Sequence, residues 1–394
     1  MMTSNGSPRH RSRTLATARR QARRLLPAAV AIALALWLLL TFAPPKQPDS
    51  SEAAPSGTTA ALPADSPAAP ASRAPSRPPA EPLREPSAPE SHDDEPDQTT
   101  QALQVVLRAS WGSGPGSLGT NEPPEGAQTG PMSFAQAPCG ALVVLDQANN
   151  RLKLFPPGRS PHSLSLPPGW FEDVALTNEG AIMLLDRLGE GRIVHLTPDG
   201  ALSAETPLEG PLIATAGGVT GLVTRPDGAW VEVERRRMVH VAKPDGTPVE
   251  NRTMLPGRPT HDGLNLLSAA IEPPGVVALF SKSAGPHNGA GRVLARPAFE
   301  LPPLGIVLLE PDSTGRIFLV VHTALFESEA PFAVVREMLE LVLLAADGRE
   351  LARTSLRPGE SGLEQFRKAR LGADGTLYVL LCDEHGATMM GWQP

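Results

Sequence analysis

The sequence predicts an all-β fold: a six-bladed β-propeller closed by a strand from its own N-terminal side. One transmembrane helix and a disordered Pro/Ala-rich linker are expected to precede it. Three observations predict the ring. A small turn ending in Gly, followed by a run of Val, Leu and Ile, recurs six times between residues 140 and 382. A second Gly-turn follows in most copies, so each copy of about 40 residues reads as four short strands, the spacing of a propeller blade. The last copy is one strand short, and a lone β-like run ahead of the first copy can supply it.

The N-terminal third is read as a tether. Residues 1–24 hold Arg9, Arg11, Arg13, Arg19, Arg20, Arg23 and Arg24 and no acid, a basic cytoplasmic tail. Residues 25–43 (LLPAAVAIALALWLLLTFA) carry no charge. At about 1.5 Å per residue they match the ~30 Å hydrocarbon core. The arginines before them predict N-in, C-out orientation. The run is longer than a cleavable signal's apolar region, and Pro44 disfavours cleavage after Ala43, so an uncleaved signal anchor is expected. That places the chain in a bacterial inner membrane as a single-pass protein, with its C-terminal domain in the periplasm. Residues 44–100 contain 14 Pro, and Leu62 and Leu83 are their only apolar side chains larger than Ala. Such a segment buries too little surface to offset its ordering entropy, so a disordered, Pro-stiffened linker is expected.

The propeller is expected over residues 101–394. Gly-turns precede strands at Gly140, Gly180, Gly228, Gly275, Gly315 and Gly375. Second turns fall at 156–158, 198–200, 244–246 and 346–348. In the second copy the four strands are read at 171–177, 181–186, 192–197 and 201–206. The sixth copy ends with a third strand at 387–392, and Gln101–Ala109 is expected to complete it. The fifth copy carries an insertion at about 323–337, including Phe326 and Phe332. The fourth carries a Gly-rich one at 283–291. Both are read as the same class of loop on one face, where a scaffold tolerates functional variation.

The stretch Trp111-Gly112-Ser113-Gly114-Pro115-Gly116, Gly130-Pro131, 142–144, Asp146, Asn149-Asn150-Arg151 and Phe155 resembles the NHL repeat. Later copies retain Asp186 with Arg192, then turns and strands alone. The resemblance implies a six-bladed propeller, in agreement with the turn count, and a functionally mixed family whose members bind protein or RNA or act as enzymes.

Composition narrows the function classes. The net charge is −7, and residues 101–394 are acidic. The one basic cluster of residues 101–394, Arg235-Arg236-Arg237, follows Glu232 and Glu234, and there is one Tyr and few other aromatics to offer stacking. Nucleic acid is therefore not expected. Cys139 and Cys382 are the only cysteines. The blade register sets them about a strand length apart, ~15–20 Å at ~3.3 Å per residue. A disulfide needs about 7 Å or less, so two free, mostly buried thiols are expected.

For metal chemistry the candidates are Glu172-Asp173, His261-Asp262, Asp146, Asp186, His322 and Asp383-Glu384-His385. Metal-dependent lactonase- and lyase-type propellers hold a divalent ion with such groups around the central channel. A catalytic metal needs about three converging ligands and an open position. These residues instead fall at non-equivalent places, and Asp146 and Asp186 sit where turns are capped. His195 and His240 fall at matched places in third strands and read as structural. The expectation is a non-enzymatic, membrane-tethered scaffold with a protein or small-ligand partner on one propeller face. No catalytic or cofactor-binding residue is assigned and no cofactor is expected; a channel metal is left open. The alternative is a metal-dependent lactonase- or lyase-like enzyme.

Overall fold

The middle strands of each repeat are near-continuous apolar runs because neighbouring sheets cover both of their faces. LVVLD at Leu142–Asp146 and IMLLD at Ile182–Asp186 are buried at every position. In the computed structural model, which describes residues 103–123, 125, 127–285, 291–359 and 362–394, these runs are the second strands of their blades. The basic tail, the anchor at 25–43 and the linker at 44–100 lie outside the described residues. Among the described residues no helix is long and apolar enough to cross a membrane. The helices there are two short 3-10 turns, at Gln147–Asn149 and Ala216–Gly218.

The described strands form six four-stranded antiparallel sheets. Strand β1 (Gln104–Ser110) comes first. Blade 1 is β2 (Ser133–Gln136), β3 (Leu142–Asp146), β4 (Arg151–Phe155) and β5 (His162–Ser165). Blade 2 is β6 (Asp173–Leu176), β7 (Ile182–Asp186), β8 (Arg192–Leu196) and β9 (Leu202–Pro207). Blade 3 is β10 (Val219–Arg225), β11 (Gly228–Val233), β12 (Arg237–Ala242) and β13 (Met254–Leu255). Blade 4 is β14 (Arg258–Pro259), β15 (Asn265–Glu272), β16 (Val276–Ser283) and β17 (Arg292–Ala295). Blade 5 is β18 (Pro303–Pro311), β19 (Ile317–Phe326), β20 (Val334–Leu344) and β21 (Glu350–Leu356). Blade 6 is β22 (Ala369–Leu371), β23 (Leu377–Cys382), β24 (Gly386–Trp392) and then β1.

Ring closure follows the expectation. β1 pairs antiparallel with β24, from Gln104 opposite Gly391 to Ser110 opposite Gly386. The outer edge of the last blade is thereby covered by chain from the start of the domain. Five buried clusters each join two neighbouring blades. One packs Val143, Leu145 and Leu152 against Val174 and Leu184. Another packs Phe318 and Leu341 against Val379 and Trp392, with the Phe318 and Trp392 rings edge to face at 6.2 Å. Burial of large side chains at about 25 cal/mol per Å² makes these seams the main source of stability.

Blade 4 departs from the sequence reading. Gly275 joins the second and third strands, not the first and second. The equivalent of Gly180 and Gly375 is Gly263, whose amide bonds Thr260 as theirs bond Thr177 and Gly372. Both Gly263 (φ 68°) and Gly275 (φ 116°) need positive φ, so local turn chemistry does not separate them. What separates them is β14, two residues long in the structure and invisible as a periodic run. This register moves a loop. The segment after β16 joins third and fourth strands, whereas the blade 5 insertion joins second and third. The two insertions therefore lie at opposite ends of their blades, not on one face.

The cysteines are free, as expected from the register. Cys382 is buried at the end of β23, but Cys139 is exposed, because its turn projects beyond the sheet, where no neighbouring blade covers it.

Candidate functional site

The first strand of each blade lines the axis, so charged side chains on these strands meet although they are far apart in sequence. Asp173 opens β6 and is fully buried. It accepts from Arg367 Nη2 at 2.6 Å and from Arg367 Nε, which lies 3.1 Å from both oxygens. Arg370 Nη2 donates at 3.0 Å, Ser133 Oγ at 2.5 Å, the Leu222 amide at 2.9 Å and the Val174 amide at 3.0 Å. Burial raises this carboxyl's pKa, but Arg367, Arg370 and the hydrogen bonds outweigh it and hold it below the usual carboxylate range. An ionised carboxylate offers about four lone-pair sites, and the donors here fill them.

A second cluster adjoins the first. Arg258, at the start of β14, donates from Nη1 to Glu310 Oε1 at 2.5 Å and from Nη2 to Glu232 Oε1 at 2.9 Å. The other Glu310 oxygen accepts from the Leu371 amide at 3.1 Å, and the other Glu232 oxygen from Thr220 Oγ1 at 3.2 Å. Burial raises the Glu232 pKa, but Arg258 and Arg367 more than reverse this and hold it down. Burial lowers the Arg258 pKa, and Glu232 and Glu310 more than restore it. Three carboxylates thus face three guanidiniums from five blades, with Ser133 adding the sixth. Arg370 is the least satisfied: burial, followed by the charge of Arg367, lowers its pKa to about 10, and its Nε has no partner.

Around the mouth of this core, Arg187 lies 4.9 Å above the Phe366 ring and donates to the Gly217 carbonyl at 2.9 Å. Glu172 is 1% exposed; its Oε2 accepts from the Arg187 amide at 3.0 Å, and its Oε1, without a hydrogen bond, lies 4.0 Å from the Arg187 Nε. Burial pushes the Glu172 pKa up to about 7. The Arg235 guanidinium hydrogen-bonds the Ile306 carbonyl across the axis, so this member of the basic cluster is a cross-ring contact, not a freely solvated side chain.

Of the sequence candidates, Asp173 alone enters the axial cluster. Asp146 and Asp186 cap the turns between second and third strands. Asp146 accepts from the Gly119 amide at 2.8 Å and from Arg151 Nε at 2.8 Å; Asp186 accepts from the Gly189 and Glu190 amides at 2.9 and 3.1 Å. Asp262 caps the Gly263 turn through Thr260 at 2.6 Å, and Asp383 caps its own turn at the His385 amide at 2.7 Å. His322 is carried by β19 and bonds Glu337 Oε1 at 2.5 Å. His195 bonds Thr206, and His240 stacks on Trp230 at 4.8 Å, both structural roles as expected. Among the described residues no three His, Cys, Asp or Glu side chains are placed to hold a metal ion. Sequence reasoning missed Glu232, Arg258, Glu310, Arg367 and Arg370. The available signal was a charged residue at or beside a first strand, where neighbouring blades leave little room for water.

The residues that carry the NHL resemblance form one physical unit. Asn149 Nδ2 donates to the Gly112 carbonyl at 2.9 Å, and Arg151 donates to the Ser113 and Ser117 carbonyls at 2.8 Å each. Trp111 Nε1 donates to the Asp383 carbonyl at 2.9 Å. The motif fastens the lead-in after β1 to blades 1 and 6.

No protein-family profile and no curated protein sequence matches the chain. Solved structures similar to it include a gluconolactonase from Xanthomonas campestris (15% identity, 75% of this chain and 90% of that one, TM-score 0.42). A virginiamycin B lyase from Staphylococcus aureus (11% identity, 68% and 96%, TM-score 0.38) is another. A hydrazine synthase from Kuenenia stuttgartiensis (12% identity, 63% and 73%, TM-score 0.42) is a third. The neighbours thus include enzymes of unlike chemistry, and likeness of this depth says nothing about activity.

Proposed function

We propose that the protein is a non-catalytic, NHL-like binding propeller, held in the envelope by residues 25–43 and presenting one face of its ring to a protein or small-ligand partner. The observation that carries this reading is the state of the axis. Its carboxylates are already engaged by arginines and backbone amides, so a divalent ion there must first displace a buried guanidinium. The binding surface is then the outer loops. The turns between second and third strands and the connections between blades share one end of the ring. That end exposes Trp170, Leu188, Leu212, Phe326 and Phe332. Single exposed apolar residues are ordinary, but a face studded with large ones favours contact with a partner. β1 starts at the other end.

The test uses the full chain in membranes. Crosslinking should recover a defined partner, and Phe326→Ser with Phe332→Ser should abolish its recovery without lowering the unfolding temperature. Stoichiometric Ca²⁺ or Zn²⁺ in the purified protein, together with lactone hydrolysis or lyase turnover lost on its removal, would overturn the reading in favour of the metal-dependent alternative.

A further inference from the structure

Blade 5 carries a hairpin that outgrows its sheet. β19 and β20 pair from Ile317 opposite Leu344 to Phe326 opposite Val334, whereas β7 and β8 of blade 2 pair only from Ile182 to Asp186. β18 follows β19 no farther than Thr323, and β21 follows β20 no farther than Leu339. Beyond these points the hairpin is a two-stranded ribbon, and among the described residues no third strand flanks its tip. A ribbon of this kind is marginal in water unless a third strand or a packed face supports it. Here Leu325, Phe326, Phe332, Val334 and Val335 are each between 43% and 59% exposed. The loop between the strands is fixed by its backbone. The Glu327 amide donates to the Ala333 carbonyl at 2.9 Å, and the Phe332 amide to the Glu329 carbonyl at 2.8 Å. The charges nearby are uneven. Arg336 pairs with Glu300 at 2.6 Å, and His322 bonds Glu337 at 2.5 Å. Among the described residues the side chains of Glu327 and Glu329, both in the exposed loop, have no hydrogen-bond or ion-pair partner.

We propose that this ribbon docks a basic amphipathic helix of a partner protein, with leucine-like side chains on one face and lysines or arginines beside them. The inference rests on the reading of this end of the ring as a docking face, and it adds the chemistry of what docks there. Size and sign carry it. Two strands of about five residues present a strip roughly 17 Å long at ~3.4 Å per residue, the length of about three helical turns. One face of an amphipathic helix covers such a strip. The charge then decides among occupants. Two unpaired carboxylates at the tip repel a second copy of the same tip and an anionic lipid surface, and they attract lysine or arginine. Exposed ion pairs add little affinity by themselves, so Glu327 and Glu329 set the sign of the partner while the phenylalanines and valines supply the buried area.

The experiment is amide hydrogen exchange of the full chain in nanodiscs of zwitterionic lipid, read by mass spectrometry over residues 317–344. The probes are two synthetic peptides of about 14 residues, long enough to form a helix. Both carry leucine at the same i, i+3, i+4, i+7 spacing; one has lysine and the other glutamate at the remaining positions. The lysine peptide should slow exchange at the tip at least about threefold, with half-saturation below ~100 μM, and the glutamate peptide should leave it unchanged. Glu327→Lys with Glu329→Lys should exchange the two responses, and Phe326→Ser with Phe332→Ser should remove both. The unaltered protein decides the matter even if a variant fails to fold. Equal protection by both peptides, no protection by the lysine peptide, or no exchange of responses in a folded lysine variant would each overturn the proposal. So would protection produced by anionic vesicles or by raising the protein concentration with no peptide present. The wider reading is scored separately: if the peptides fail but crosslinking still recovers a partner that the two serine changes abolish, docking at this face stands and its partner is not a basic helix.

Discussion

Asp173→Asn is the substitution that tests the axial cluster most directly. It keeps the shape of the side chain and removes its charge. The two guanidiniums that face it, Arg367 and Arg370, then lose their shared carboxylate in a buried setting. Breaking a buried ion pair from one side costs about 3–5 kcal/mol, because the partner charge is left uncompensated. At about 2 °C per kcal/mol, the low end for a domain of this size, the unfolding temperature should fall on the order of 6–10 °C. Arg367→Met alone should cost a similar amount. The double variant removes one charge of each sign, so it should be less destabilised than the two singles summed, by about 1–3 kcal/mol of coupling. Chemical denaturation of all four proteins measures the cycle. The pH dependence supplies an independent check. Asp173 has a folded pKa below its unfolded one, so its contribution is present above the ordinary carboxylate pKa and lost as pH falls through the folded value. Wild type should therefore lose its advantage over Asp173→Asn in acid. Additive single effects, or a cost under about 1 kcal/mol at neutral pH, would show that the cluster does not hold the blades together.

Glu172→Gln should be the opposite case. The Glu172 pKa is raised to about 7 in the fold by burial, so its neutral form is favoured below the unfolded pKa and that stabilisation is lost as pH rises through 7. The variant should gain on the order of 1–3 kcal/mol relative to wild type between pH 5 and pH 8.5, measured by urea unfolding; an equal difference at both pH values would contradict the assignment. Native protein should react with a thiol reagent at exposed Cys139 only, since Cys382 is buried and burial pushes its thiol up to about 12; rapid labelling of both would refute the placement. Removing residues 1–100 should leave cooperative unfolding intact, whereas removing residues 1–110 deletes β1 and exposes β24 as an open edge. The longer deletion should aggregate or unfold at least about 10 °C lower, read by circular dichroism and light scattering.

The number of blades and the closure of the ring were legible in the chain, because both rest on local physics. A Gly-turn fixes where a strand ends, and an apolar run flanked by such turns must be a strand covered on both faces. The shortage of one strand at Trp392 and the surplus at Gln101–Ala109 could therefore be matched across the domain, and the strand that forms there is Gln104–Ser110. Blade 4 was misread for the same reason: Gly263 and Gly275 are equally good turns, and the two-residue β14 leaves no periodic trace. The exposure of Cys139 was likewise a matter of which turn overhangs its sheet.

The charges at the axis were beyond the sequence for a different reason. Arg367 and Asp173 are 194 positions apart, and nothing local to either announces the other. In the chain, Glu172-Asp173 is simply an acidic pair, and Arg367 and Arg370 are two of many basic residues. The sequence by itself determined a ring of six four-stranded blades and the strand that closes it, since turns and periodicity act over a few residues. Only the tertiary structure decided that the axial carboxylates face guanidiniums, because the ring brings the first strands of all six blades together at one axis.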